Sequence, residues 1–366
     1  MAVGRSAEVA RARRERGVAV GPRIVAIGGG TGLSATLSGL KTAMFAGERR
    51  QRAREDACLT AIVNVVDDGG SSGRLRAGSS LPAPGDVRRC LVALAACDPM
   101  VSALFEFRFA GTDDVGGHSL GNLVIAALSE LGGGDFHRAV ALAGKLLHVR
   151  GRVLPCTDDD VALAAELEDG TWVEGESQIP RARGRIQRVH LHPSAARALP
   201  ESCDAVREAD LVVIGPGSVY TSLIPPLLLG ELRLGIAHSH APVVLVANLM
   251  TEPGETDGHS VADMVRAILS HAPSLRIDHV LVNRTPFPAS VVASYRAAGA
   301  VPVELDRAAL RALGCEVVEA DLAAPGHLVR HDPVKLGQAI LALLPAATAT
   351  PSSEPSHPCK IPSSRS

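Results

Sequence analysis

Four times in this chain a short apolar run, rich in β-branched residues, stops abruptly at glycine, aspartate or asparagine. Ile24-Val25-Ala26-Ile27 meets Gly28-Gly29-Gly30-Thr31-Gly32, and Ala61–Val66 meets Asp67-Asp68-Gly69-Gly70-Ser71-Ser72-Gly73-Arg74-Leu75-Arg76. Residues 209–214 meet Gly215-Pro216-Gly217-Ser218, and Val243–Ala247 meets Asn248. Continuous apolar runs of this length read as strands buried on both faces. Segments of helical period lie between them; in 259–270, Val261, Met264, Val265, Ile268 and Leu269 fall on one stripe. Strand alternating with helix predicts an α/β fold, a doubly wound, mainly parallel sheet with its ligand sites at the carboxyl edge. His279–Asn283 and Ala300–Val303 read as the strands that close it. Val161–Leu167, the Asp169-Gly170 turn and Thr171-Trp172-Val173 read as a hairpin within a β insertion spanning about 150–192. An arginine-rich leader (1–21) and a Pro/Ser/Thr-rich tail (346–366) bracket a single domain at 22–345, and both are expected to be disordered.

The loops carry the candidate chemistry. Gly29, Gly30, Thr31 and Gly32, between a strand and a helix, have the layout of a phosphate cradle. They fit neither G-x-G-x-x-G, which needs glycine at Leu33, nor a Walker loop. A tight structural turn is the alternative. In the second loop, Asp67 and Asp68 offer carboxylates, Ser71 and Ser72 small donors, and Arg74 and Arg76 cations suited to phosphate. A polar turn with a solvated charge pair is the bland reading. Asp86 is expected as an N-cap with Arg88 and Arg89 in the following turn, where an anionic ligand would relieve their opposition to the helix dipole. His118, Ser119 and Asn122 surround another predicted helix start, a donor-rich anion site, although His118 also suits a capping role. Gly117-His118-Ser119-Leu120-Gly121 matches G-x-S-x-G, but no strand runs into it, so it is not read as a nucleophile elbow. Gly217, Ser218, Thr221 and Asn248 complete the candidate ligand-binding set.

Composition narrows the function classes. Of 366 residues 46% are hydrophobic, enough for a large core, and a formal net charge of -2 argues against a general nucleic-acid binder. Aromatics are only 2%, which disfavours base-stacking platforms. The seven scattered cysteines include no C-x-x-C pair and suit reduced thiols rather than a disulfide framework. No apolar run reaches membrane-spanning length, so no membrane insertion is expected. His190 and His192 share a strand face without acidic or thiol companions, and no metal site is assigned.

The ordered set Gly28–Ser34, Asp67–Arg76, Gly85-Asp86-Val87-Arg88, Gly117–Leu123, Gly215–Ser222 and Asn248–Thr256 resembles the gluconeogenesis-factor (YvcK-like) family, within the wider CofD-like superfamily. The resemblance runs from about 23 to 344. Val66, Arg89 and Pro226 depart from it, where alanine, asparagine and asparagine are expected. It implies a Rossmann-like fold and a cytoplasmic protein required for cell shape and for growth on gluconeogenic carbon sources. The implied ligand is a UDP-sugar, UDP-N-acetylglucosamine in particular, or a related nucleotide diphosphate. A homo-oligomer and a partner in the cell-wall or cell-shape machinery are further expectations. The resemblance leaves two readings open. One is a non-catalytic sensor. The other is a 2-phospho-L-lactate transferase-like enzyme moving a phosphoryl-linked group, with Mg²⁺ on Asp67 and Asp68 as its cofactor and the Asp67/Asp68 and Arg88 positions lining an acceptor site.

Overall fold

The computed structural model describes residues 21–45, 58–78, 81–111 and 114–345. The leader, the tail and most of the charged 45–57 segment lie outside the described residues. The first half runs β1 (Ile24–Gly28), α1 (Gly30–Phe45), β2 (Leu59–Val63), α2 (Gly70–Gly78), α3 (Pro84–Leu94), α4 (Pro99–Glu106), α5 (Leu120–Leu131), α6 (Phe136–Leu146) and β3 (Arg152–Pro155). An insertion follows, with β4 (Ala162–Leu167), β5 (Trp172–Glu174), the single turn α7 (Ile179–Ala182) and β6 (Ile186–His192). The second half runs α8 (Pro200–Arg207), β7 (Leu211–Ile214), a π-turn at Val219–Leu223, α9 (Ile224–Leu228), α10 (Gly230–His238), β8 (Val243–Val246) and α11 (Val261–His271). It ends with β9 (His279–Asn283), α12 (Ala289–Ala297), α13 (Arg307–Ala312), β10 (Glu316–Ala320) and α14 (Pro333–Leu341).

The large sheet has the order β10-β9-β8-β7-β1-β2-β3, and every pairing in it is parallel. The fold is α/β, as the alternating pattern predicts. All residues of β1, β2, β7 and β8 are buried, because helices cover both faces and only β-branched and small apolar side chains fit between. The chain steps outward from β1 through β2 to β3, then returns to the other side of β1 and steps outward again from β7. The order reverses between β1 and β7, so a crevice opens at their carboxyl ends. The four loops singled out in the sequence follow β1, β2, β7 and β8, which are neighbours at the middle of the sheet.

Two strand expectations need correction. Arg152–Pro155, inside the span assigned to the insertion, pairs with β2 as the edge of the large sheet, so the separate antiparallel sheet β5-β4-β6 begins at Ala162. Ala300–Val303 is not the closing strand. Pro302 lacks an N–H for a ladder, and the segment makes only a bridge to Met250, with Thr251 N donating to Val301 O at 2.8 Å. The last strand is Glu316–Ala320, whose glutamates suit an exposed edge.

The insertion is fixed to the core at several points. His271, buried at the end of α11, donates from Nδ1 to Ala267 O (2.7 Å) and accepts at Nε2 from Val189 N (2.9 Å). Burial holds its imidazole below the ordinary value, in the neutral form this geometry needs. Arg76 reaches from α2 to Val161 O (2.6 Å) and Asp160 (2.9 Å), while also donating to Val66 O (3.1 Å).

Candidate functional site

The crevice begins at Gly30, whose φ of +64° is a left-handed conformation that glycine adopts without strain. Among the described residues nothing lies within 4 Å of the side-chain direction at Gly30, so a side chain there would meet none of them. Gly32 packs directly on the Pro216 carbonyl, and only glycine lets the β1 and β7 loops approach so closely. Asp86 is not an N-cap. α3 starts at Pro84, and Asp86 sits in its first turn with its carboxylate crossing to accept from Gly30 N at 2.6 Å. Its other oxygen pairs with Arg89, which is thereby committed to Asp86. Burial raises the Asp86 carboxyl, and Arg89 and the Gly30 amide oppose the rise.

A chain of buried polar groups runs beside this loop. Arg88 Nε donates to Asn122 Oδ1 (3.1 Å), Asn122 Nδ2 donates to Ser71 Oγ (3.1 Å), and Ser71 Oγ lies 3.0 Å from His118 Nδ1. The direction of each bond follows from the first. Arginine can only donate, so Asn122 must accept with its oxygen and donate with its nitrogen. Ser71 then has its proton free for His118 Nδ1, which assigns the imidazole its proton on Nε2. Burial, with Arg74 and Arg108 nearby, holds His118 below its ordinary value and keeps it neutral. Arg88 is 6% exposed and has no carboxylate within salt-bridge distance among the described residues.

The β7 and β8 loops meet the β1 loop, with Ser222 beside Gly29 and Gly217 beside the Gly29 carbonyl. Asn248 Oδ1 accepts from Gly217 N (3.1 Å) and its Nδ2 donates to Gly217 O (2.9 Å), tying the two loops together. Ser218 bonds Glu252. Thr221 Oγ1 donates to Glu255 Oε1 (2.9 Å), and Asn64 Nδ2 donates to Thr221 O (2.9 Å). Among the described residues, Asn64 Oδ1 and Glu255 Oε2 are buried without a hydrogen-bond donor. Burial, then Glu252, pushes the Glu255 carboxyl up to about 7. Glu176, carried by the insertion, faces Asp67, Asp68, Glu255 and Asp86, and burial together with those charges pushes it up to about 8.

The predicted residues therefore separate into groups. Gly30 is tied to Asp86, and Arg88, Asn122, Ser71 and His118 form one connected chain, while Asn248 is tied to Gly217 and Thr221 to Glu255 and Asn64. Thr31 is exposed at the start of α1. Ser72 is buried against Gly85. Ser119 is wholly buried as the N-cap of α5, accepting from Asn122 N. Arg74 donates to Gly116 O (2.6 Å) and backs the His118 turn. Arg76 serves as the strut to the insertion and is not brought to the crevice. Asp67 and Asp68 diverge. Asp67 Oδ1 accepts from Gly69 N (2.9 Å) and its Oδ2 faces Gly85, whereas Asp68 Oδ1 accepts from Ser177 N (2.8 Å) in the insertion. A cation shared by the two carboxylates does not fit this geometry, and among the described residues no group of three His, Cys, Asp or Glu is placed to hold a metal. Asn64, Glu252, Glu255 and Glu176 lie outside the predicted ligand-binding set, and Arg89, expected to meet an anionic ligand, is paired with Asp86 instead. Asn64 was detectable as the polar residue inside an apolar run, and Glu252 and Glu255 lie in the loop after β8. Glu176 has no local signal, because only the tertiary fold of the insertion brings it here.

Residues 24–323 match the family described as 2-phospho-L-lactate transferase CofD. The chain belongs to the CofD family. Within it, this CofD-family chain is similar to proteins named gluconeogenesis factor. The Bacillus subtilis protein is 43% identical over 88% of this chain and 98% of its own length. The Listeria monocytogenes protein is 43% identical over 89% of this chain and 97% of its own length. A crystal structure of a Bacillus halodurans protein superposes with a TM-score of 0.81 at 42% identity, covering 87% of this chain and 99% of that one. Among the described residues no helix is long and apolar enough to cross a membrane.

Proposed function

We propose that this CofD-family chain is a gluconeogenesis factor, a cytoplasmic regulatory protein that binds a nucleotide sugar of the UDP-N-acetylglucosamine type and acts in cell shape and growth on gluconeogenic carbon sources. The observation that carries the ligand class is Arg88, a buried cation with no carboxylate within salt-bridge distance among the described residues, beside the amino end of a helix. A buried charge of this kind is costly until an anion meets it, and a diphosphate supplies one together with acceptors for the Gly29–Gly32 loop. The opposite wall offers the reverse chemistry. Asn64 Oδ1 and Glu255 Oε2 are acceptors awaiting donors, which the hydroxyls of a ribose or a hexose provide. The six described cysteines are all free thiols, in keeping with a reducing compartment.

The residues present do not build a shared Mg²⁺ site on Asp67 and Asp68, so binding is assigned to arginine and backbone donors. Titration calorimetry with UDP-N-acetylglucosamine, run in Mg²⁺ and again in EDTA, tests the reading. Comparable affinity in both supports it, and absence of heat in both refutes it. The family description favours a transferase as the second reading. Prolonged incubation of the nucleotide sugar with protein and candidate acceptors decides between them, since only a transferase releases UMP, UDP or a transferred product.

A further inference from the structure

Residues 175–182 of the insertion touch the two outer loops of the four that follow the central strands. In the loop after β2, Asp68 Oδ1 accepts from Ser177 N (2.8 Å), and Gly175 packs on the same carboxylate. In the loop after β8, Gly254 packs on the Pro180 carbonyl so closely that no side chain fits between them. β7 and β1 lie between β8 and β2 in the sheet, so a segment that touches both outer loops passes over the carboxyl ends of the inner strands. Glu176 belongs to this strap, held between Gly175 and Ser177.

The Glu176 carboxyl is half-buried and makes no hydrogen bond or ion pair among the described residues. The groups that act on it are carboxylates from three elements: Asp67 and Asp68 before α2, Glu255 after β8, and Asp86 in α3. The cations on these elements are engaged elsewhere. Arg89 pairs with Asp86, Arg76 with Asp160, Arg74 donates to Gly116 O, and Arg88 donates to Asn122. Of the remaining groups after β8, Glu252 bonds Ser218, Asp257 accepts from Gly254 N (2.6 Å), and His259 faces Tyr220. Glu174 and Arg181, on the insertion itself, are exposed. Burial and the four carboxylates therefore keep Glu176 a neutral acid up to about 8, and a neutral carboxyl is a hydrogen-bond donor.

A second group at this place lacks a partner. Glu255 is 7% exposed, its Oε1 accepts from Thr221, and its Oε2 has no donor among the described residues. One O–H donor and one free acceptor thus face a region that four further acids make hostile to phosphate. A neutral hydroxyl, which accepts and donates at once, suits both.

We propose that Glu176 is a specificity-determining residue that reads the sugar of the bound nucleotide sugar, donating a hydrogen bond from its neutral carboxyl to a sugar hydroxyl oxygen beside Glu255. This rests on the nucleotide-sugar reading above, in which Arg88 and the Gly29–Gly32 loop take the diphosphate.

The test is calorimetry of the full-length protein with UDP-N-acetylglucosamine and with UDP, at pH 6.5 and pH 9. UDP carries the same uracil and diphosphate, so the ratio of the two affinities isolates the sugar. At pH 6.5 the ratio is expected to be equal in wild type and Glu176→Gln, whose amide also donates, and about tenfold lower in Glu176→Ala. At pH 9 the wild-type ratio should fall about tenfold relative to that of Glu176→Gln, because wild-type Glu176 has then released its proton. Glu255 titrates in both proteins and cancels. A merely structural role would lower both affinities together and leave their ratio alone. A ratio unchanged by Glu176→Ala, or a wild-type ratio that tracks Glu176→Gln from pH 6.5 to 9, overturns the proposal and leaves the nucleotide-sugar reading standing. Failure of the wild type to bind either compound overturns that reading and this one with it. Should Glu176→Ala fold poorly, the comparison of wild type with Glu176→Gln decides.

Discussion

Replacing Arg88 with methionine separates a ligand-binding cation from a structural one, because the two roles predict opposite effects on the free protein. Arg88→Met keeps most of the buried aliphatic volume and removes the charge. In the free protein it leaves Asn122 Oδ1, on a residue only 3% exposed, without its donor, which costs about 1–3 kcal/mol. It also removes the desolvation penalty of a buried cation that has no carboxylate within salt-bridge distance among the described residues, a gain of several kcal/mol less the attraction of the more distant Glu106 and Asp86. The two offset each other, so the melting temperature is expected to stay level or rise. Had Arg88 been half of a buried ion pair, its loss would cost about 3–5 kcal/mol. Binding should move the other way. Loss of hydrogen bonds to a charged group weakens an anionic ligand by about 1.5–3 kcal/mol, or about one to two decades in affinity. Scanning fluorimetry of the free protein and calorimetry with UDP-N-acetylglucosamine provide the two readings. A large drop in melting temperature with unchanged affinity would refute the assignment of Arg88 to the ligand.

The remaining predictions concern the loop, the insertion and pH. Gly30→Val should abolish ligand binding and also lower stability by about 1–2 kcal/mol, because valine is strained at φ +64°; binding that survives would make the loop a turn only. Asp68→Ala should speed hydrogen exchange at the Ser177 amide, which loses its acceptor, and ligand affinity of the variant should be equal in Mg²⁺ and in EDTA. Glu176 has a folded-state value of about 8 against 4.5 for an ordinary glutamate, so between these values the folded chain holds a proton that the unfolded chain has released. Stability therefore falls as pH rises through that window. His331, held down to about 4 by burial, acts in the opposite sense below 6.5, and Glu255, raised to about 7, adds to the fall up to about pH 7, which leaves pH 7 to 8 as the range governed by Glu176. Wild-type melting temperature should fall across that range, and Glu176→Gln should flatten the slope.

Much of the fold was legible because its signals are local. A continuous run such as Val243–Val246 has no amphipathic alternation, so it must be buried on both faces, and that requirement alone implies a parallel sheet between helices. The loops were visible for the same reason, since glycine, aspartate and serine at the end of such a run mark where the backbone turns out of the sheet. Glu316–Ala320 was missed because an edge strand can carry charge on both sides of its valines and loses the apolar signature. Side-chain direction was not legible either. Arg74, Arg76 and Arg88 look alike in sequence, but the fold turns Arg76 to the insertion and Arg74 to a backbone carbonyl, and buries Arg88 in the crevice. Asp86 reads as a cap from its neighbours, and only the proximity of Gly30, 56 residues away, shows where its carboxylate goes.

The placement of β1 has a consequence for how the chain is made. β1 lies at the centre of the large sheet, yet one of its two neighbours, β7, begins 187 residues later. A ribosome extending this chain exposes a wholly apolar strand whose β7-side edge stays without its partner until more than half of the protein has been synthesised. During that interval the edge is open to pairing with other nascent chains. The first half can collapse around β1, β2 and β3, but the crevice has only one wall until β7 docks. Pulse-labelled chains arrested before residue 211 should therefore associate with holdase chaperones, and chains arrested well beyond β8 should be released from them.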